Sequence, residues 1–177
     1  MPKSGDLIFQ SLPHSDLVDA IEGATESKYS HVGIVIQKEN QWFVRESCKG
    51  VVHDTPLEEY INRGRDESID VYRVKKEYTK HLPLFIEKSA RYLGRPYDMR
   101  FSLDDEYIYC SELVYKAFRD ASDIALGTLD RFGDLKWKKY EVFIKSVENG
   151  VIPENRLVIT PVAISKAKQL KQVYSSY

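Results

Sequence analysis

One short stretch limits the folds open to this chain more than any other: Tyr107-Ile108-Tyr109-Cys110-Ser111-Glu112-Leu113-Val114. After Cys110 the apolar residues Leu113, Val114, Ala117 and Phe118 recur three and four apart, the spacing of one face of an α-helix. Before Cys110 the residues are aromatic and β-branched, which reads as extended chain. Cys110 therefore stands where an extended segment becomes a helix, at the head of the buried stripe. The start of a helix carries unsatisfied N–H groups that favour an anion. An ordinary thiol titrates near about 8.5 and is only a few per cent ionised at neutral pH. Lowering that value by about two units corresponds to roughly 3 kcal/mol of differential stabilisation. A nearby imidazolium would add to the effect, so the question is whether the chain brings a histidine to Cys110.

With 177 residues, 42% of them apolar and 30% charged, the chain has the composition of one globular domain with a sizeable core. The domain is expected to have its core at residues 5–120 and a C-terminal extension at 121–177. The formal net charge of -1, with acids and bases dispersed, gives no reason to expect nucleic acid as a partner. No apolar run is long enough to span a bilayer. The two cysteines, Cys48 and Cys110, cannot make a disulfide framework or a cysteine-rich zinc site. No His-x-x-x-His, Cys-x-x-Cys or glycine-rich phosphate loop occurs, so neither a metal nor a nucleotide or other cofactor is expected. No charged and then apolar leader precedes Gly5-Asp6-Leu7-Ile8-Phe9. That leaves a cytosolic protein or a mature form whose leader has been removed. Oligomeric state is not legible.

Taken in order, Asp6 to Gln10 reads as a short strand and Ser15 as the N-cap of a helix ending near Gly23. Tyr29 to Ile36 is β-branched and reads as a core strand. Lys38-Glu39-Asn40-Gln41 is a polar turn, and Trp42 to Ser47 returns as the second arm of a hairpin. Gly50 to Asp54 reads as a strand, Thr55 to Ile61 as a helix with Pro56 at its first position, and Ser68 to Val74 as a strand. Leu82 to Leu93 has helical spacing with Gly94 as its stop. Beyond the Cys110 helix the pattern weakens. Trp137, Tyr140, Phe143 and Ile144 form a candidate helix face, and 158–161 a final short strand. The polar tail after Ser165 is expected to fray.

The hairpin register carries the functional argument. A turn centred between Glu39 and Asn40 sets Gly33 opposite Glu46 and His31 opposite Cys48. Alternation then puts His31, Gly33, Val35 and Glu46 on one face. His31 and Glu46 become diagonal neighbours, with backbones about 7–8 Å apart and within reach of a long side chain. Gly33 leaves space for the carboxylate to lean toward the ring. A slip of one residue would separate the two.

Cys110, His31 and Glu46 thus supply a thiol, a base and a residue to orient the base. In that scheme Cys110 attacks a carbonyl carbon and His31 moves the proton. Glu46 holds the ring, and the N–H groups of Cys110 and Ser111 receive the oxyanion. Glu46→Gln is expected to preserve folding and slow turnover. Each residue also has a plain structural reading: Cys110 as a small buried hydrophobe, His31 as a strand histidine, Glu46 as a solvated strand end. Tyr97 and Tyr109 flank the site, as pocket lining, oxyanion donors or simple packing. Glu112 in the first helical turn reads as a complement to the helix dipole. His14, His53 and His81 read as surface residues, with His53 and Asp54 as a weaker alternative base pair. Cys48 reads as packing, though the register could bring it near His31.

Five segments, in order, resemble a known family: Gly5 to Gln10, Tyr29-Ser30-His31-Val32-Gly33, Glu46, Tyr92 to Asp98, and Tyr109 to Val114. They are similar to the YiiX/YebB-like proteins, circularly permuted NlpC-type cysteine hydrolases of the papain-like group. The resemblance runs from about Gly5 to Phe118. It implies an α+β fold in which the helix bearing the nucleophile packs on a small antiparallel sheet or barrel bearing the base. By position it makes Cys110 the nucleophile, His31 the base and Glu46 the third polar residue, with Tyr97, Tyr109 and Ser111 as candidate substrate-binding residues. The chain departs from the family at its N-terminus, where an export leader would be expected. The resemblance further implies an amidase or peptidase that passes through a thioester and acts on small peptides or amino-acid amides, including those derived from cell walls. The permuted branch also holds lipid acyl hydrolases and acyltransferases, and a non-catalytic small-ligand module is the alternative of another class.

Overall fold

The computed structural model describes residues 1–48 and 50–177. The elements are β1 (Leu7–Gln10), α1 (Asp16–Thr25), β2 (His31–Lys38), β3 (Gln41–Cys48), β4 (Val51–Pro56), α2 (Leu57–Arg63) and β5 (Ile69–Val74). There follow α3 (Leu82–Ala90), α4 (Cys110–Ser122), β6 (Asp130–Arg131), α5 (Glu141–Val147), β7 (Leu157–Val158), α6 (Pro161–Ser165) and β8 (Leu170–Ser175). Six strands form one antiparallel sheet in the order β4-β3-β2-β1-β5-β8, and β6 pairs with β7 separately. This is the mixed helix-and-antiparallel-sheet architecture expected of a permuted papain-like chain.

Alternation along the strands sorts the core onto two faces. Leu7, Phe9, Val32, Ile34 and Ile36 pack with Phe85 of α3 and Leu113, Val114, Ala117 and Phe118 of α4. Ile8, Val35, Val44 and Ile69 pack with Tyr60 of α2. Burying each large apolar side chain contributes about 1.5–3 kcal/mol. The register of β2 and β3, Ile34 opposite Arg45 through Lys38 opposite Gln41, is the one the polar turn dictates. Glu39 and Asn40 both have positive φ, 46° and 66°, as a two-residue hairpin turn of matching twist requires.

α4 is buried on nearly every side over its first nine residues. Its apolar stripe faces the sheet. Its opposite side is covered by the C-terminal segment, where Tyr109 Oη accepts from Ile159 N at 3.0 Å and Ser111 Oγ donates to Ile159 O at 2.8 Å. Glu112, read from sequence as a complement to the helix dipole, is fully buried. It accepts from Tyr109 N at 3.2 Å and pairs with Lys116 at 2.8 Å. Burial outweighs these contacts and pushes its carboxyl up to about 8.

The chain beyond Ser165 does not fray as expected. β8 pairs with β5, Ser176 N donates to Ile69 O at 3.0 Å, and Ser11 N donates to Tyr177 Oη at 2.9 Å. Lys28 Nζ sits 3.8 Å above the Tyr177 ring. β8 is an edge strand whose side chains are mostly exposed, so it is polar and carries no alternation to read. The expected final strand is only Leu157–Val158, because Pro161 opens α6. Helix α1 runs two residues past Gly23, closing with Glu26 in a left-handed conformation.

Candidate active site

The site is assembled at one end of the sheet, where β2 begins, β3 ends and α4 starts. His31 is the first residue of β2 and Cys110 the first of α4. Ser47 ties the two together from β3, because its hydroxyl donates to Ile108 O at 2.5 Å, two residues before Cys110. The edge of β4 is sealed by the 94–97 segment: Gly94 N donates to Val52 O at 2.9 Å and Tyr97 N to Gly50 O at 2.9 Å. Ile108 N donates to Pro96 O at 2.9 Å, which carries the chain from Tyr97 back to the head of α4.

His31 Nε2 lies 2.5 Å from Glu46 Oε2. Cys110 also acts on the ring, as a hydrogen-bonding side chain and through its charge. The sulfur, the ring and the carboxylate are 1%, 2% and 0% exposed, so water does little to screen their interactions. Burial by itself would lower the affinity of His31 for its second proton. The hydrogen bond and charge of Cys110, then those of Glu46, outweigh it and push His31 up to about 10. Burial works to raise Glu46, but His31 and then Arg63 hold its carboxyl well below the usual range. The ring therefore keeps its second proton at neutral pH.

Gly33 makes the close approach of the strands possible. A Cβ built there would lie 2.3 Å from Val44 Cγ1 and 3.5 Å from Glu46 Cβ. The Tyr60 ring lies 5.7 Å from the His31 ring, and its hydroxyl donates to Ile8 O at 3.0 Å. α4 supplies the first N–H groups of a 13-residue helix beside Cys110.

The flanking residues differ in their use. Tyr97 is half-buried, and its hydroxyl is pushed well above its ordinary value by burial and then by the nearby Cys110 and Cys48. The hydroxyls of Tyr109 and Ser111 are both committed to Ile159, so they hold the C-terminal segment against α4. The expected role of these two residues in binding substrate therefore has to be met while their hydroxyls are engaged with Ile159. Among the surface histidines, His14 pairs with Asp19 at 2.6 Å. His53 is only 32% exposed, and its Nε2 lies 3.9 Å from Glu46 Oε1. Asp54 is not its partner but that of Arg45, at 2.8 Å, and of Lys38.

Three residues at the site were not assigned to it from sequence. Arg63, the last residue of α2, places Nη1 3.0 Å from Glu46 Oε1 and Nη2 2.6 Å from Oε2. Thr55 Oγ1 donates to Oε1 at 2.6 Å. Cys48 brings its sulfur within 4.8 Å of donor atoms of His31 and Glu46. The hairpin register already sets Cys48 opposite His31, and Thr55 could have been found by continuing the alternation into β4, where Glu46 faces His53 and Val44 faces Thr55. Arg63 gives no local signal, since an arginine at the end of a short helix ordinarily points to water. Glu46 is sealed in by four contacts, so a cost in stability is now expected of Glu46→Gln beside slower turnover.

The sequence matches the family model described as permuted papain-like amidase enzyme, YaeF/YiiX, C92 family, over residues 1–174. It is 33% identical over 175 residues to the uncharacterized protein YiiX of Escherichia coli strain K12, covering 97% of this chain and 86% of that protein. The fold matches the crystal structure of the metalloprotein YiiX from Escherichia coli O157:H7 with a TM-score of 0.90 and 31% identity, over 99% of this chain and 98% of that one. The chain therefore belongs to the permuted papain-like amidase family of YaeF and YiiX.

Proposed function

We propose that the chain is a cysteine amidohydrolase that forms a thioester at Cys110. The observation that carries this reading is the buried cluster of Cys110, His31 and Glu46, with the ring hydrogen-bonded to Glu46 and acted on by Cys110. Cys110 Sγ attacks the carbonyl carbon of an amide, and the oxyanion turns toward the first N–H groups of α4. The His31 imidazolium gives its proton to the departing amine. His31 then takes a proton from water as the water oxygen attacks the thioester, releasing the acid and restoring the sulfur. Glu46 keeps the ring in place and stabilises its charge. Cys110 is almost fully covered, so substrate entry requires some of the surrounding structure to yield.

Among substrates, small peptides and amino-acid amides rank ahead of long acyl chains, in keeping with the amidase family. A cavity of about 80 Å³, lined by Leu17, Ile21, Phe101, Phe143, Ile144 and Ile159 among others, lies behind Tyr109. Phe101 stacks on Tyr109 at 4.7 Å and Ile159 is bonded to it, so this cavity adjoins the nucleophile's own turn. An apolar cavity of about 150 Å³ holds one benzene ring. The space here is smaller than that, and its lining includes none of Cys110, His31 and Glu46.

The structural relative is described as a metalloprotein. In this chain the donors do not suit a resident metal. Both oxygens of Glu46, the one carboxylate of the His31–Glu46–Cys48 cluster, are already taken by His31, Thr55 and the Arg63 cation. No step is routed through a metal.

The test is alkylation by iodoacetamide against pH in a Cys48→Ser background. Cys110 is expected to react faster than an ordinary thiol at mildly acidic pH, and His31→Ala to abolish the advantage. If neither holds, the catalytic reading fails. Single-turnover acylation with peptide amides and with fatty-acyl esters then ranks the substrates. Turnover of the ester alone reverses the ranking.

A further inference from the structure

The cluster beside Cys110 has the composition of a metal site and the wiring of an ion pair. His31, Glu46 and Cys48 each bring one donor atom to within 4.8 Å of the others. Imidazole, carboxylate and thiolate are the ligand types that zinc accepts. Yet each Glu46 oxygen already receives two donors. Oε2 takes His31 at 2.5 Å and Arg63 Nη2 at 2.6 Å, and Oε1 takes Thr55 at 2.6 Å and Arg63 Nη1 at 3.0 Å. Such paired contacts are the strongest and most directional way to hold a carboxylate.

The guanidinium is itself mostly buried, with its side chain 15% exposed and its carbon 5.2 Å from the centre of the Tyr60 ring. Its Nε is buried and has no hydrogen-bond partner among the described residues. The arginine is thus placed for what its two terminal nitrogens do. A divalent ion entering the cluster would have to displace those nitrogens or sit beside them. Like charges a few ångströms apart in an interior of low dielectric repel strongly.

We infer that Arg63 fills the cation position of a latent His31–Glu46–Cys48 metal site and so keeps soft divalent metals out of the centre that holds Cys110. This inference goes beyond the amidase reading and does not depend on which bond Cys110 cleaves. A metal that took Glu46 as a ligand would draw that carboxylate away from the ring it now holds. Exclusion therefore protects the arrangement of the ring, whatever its substrate.

The experiment titrates Co²⁺ into the full-length protein at neutral pH. Binding is read by thiolate-to-cobalt charge-transfer absorption and folding by circular dichroism. The wild type is expected to bind weakly. Arg63→Met is expected to bind one equivalent roughly tenfold or more tightly, with a charge-transfer band that survives Cys110→Ser and disappears with Cys48→Ser. Arg63→Lys, which keeps the charge but loses the fork, is expected to fall between them. A folded Arg63→Met protein that gains no affinity overturns the inference. So does a band that depends on Cys110 instead of Cys48. If Arg63→Met does not fold, the wild type and Arg63→Lys still decide. Tight stoichiometric metal in purified wild type, lost with Cys48→Ser, refutes exclusion, and so does equal binding by wild type and Arg63→Lys.

Discussion

Glu46→Gln is the most informative single change, because one buried carboxylate organises four contacts from three other elements. His31, Arg63 at two nitrogens and Thr55 all converge on it, and it is 0% exposed. The amide keeps the shape but loses the charge. It leaves Arg63 largely buried without its counter-ion and must turn one N–H₂ toward a donor. Removing one partner of a buried ion pair costs about 3–5 kcal/mol. At about 2–4 °C per kcal/mol for a domain of this size, the melting temperature should fall by roughly 6–20 °C.

The pH dependence of that difference is fixed by the sign of each perturbation. Glu46 is held below its ordinary value of 4.5, so its contribution is complete above that pH and is lost as the pH falls through its folded value. His31 is raised from 6.5 to about 10, so its contribution is complete below 6.5 and is lost as the pH rises through about 10. Urea unfolding of wild type and Glu46→Gln should therefore differ most between these limits, with the gap closing in acid. A gap under about 1 kcal/mol at neutral pH, typical of an exposed pair, would refute the reasoning. So would a gap that widens in acid.

Two further changes test other parts of the site. Gly33→Ala puts a Cβ 2.3 Å from Val44 Cγ1 and is expected to cost about 1–3 kcal/mol through overpacking; an unchanged urea midpoint would show that β2 and β3 have slack there. Glu112 is raised from 4.5 to about 8. The unfolded chain thus gives up that proton first, and wild type should lose stability relative to Glu112→Gln as the pH climbs across that window. A stability difference that stays flat over the range would argue against a buried, proton-retaining Glu112.

The sequence by itself settled everything that depends on a few neighbouring residues. Alternation and a two-residue turn at Glu39 and Asn40 set the β2–β3 register, and with it the meeting of His31 and Glu46. A change from extended to helical spacing put Cys110 at the start of α4. The tertiary structure decided what closes around them. Arg63 is 17 residues from Glu46, and only the docking of α2 turns a surface arginine into the carboxylate's partner. Glu112 and Lys116 look like a solvated pair until residues 158–161 and the loop before α4 cover that side of the helix. β8 is held by backbone bonds to β5 while its side chains face water, so its composition is that of a loose tail. The physical reason is common to all three. Periodicity records which face of an element is apolar, but a charge or a polar edge has the same sequence whether solvent or protein lies against it.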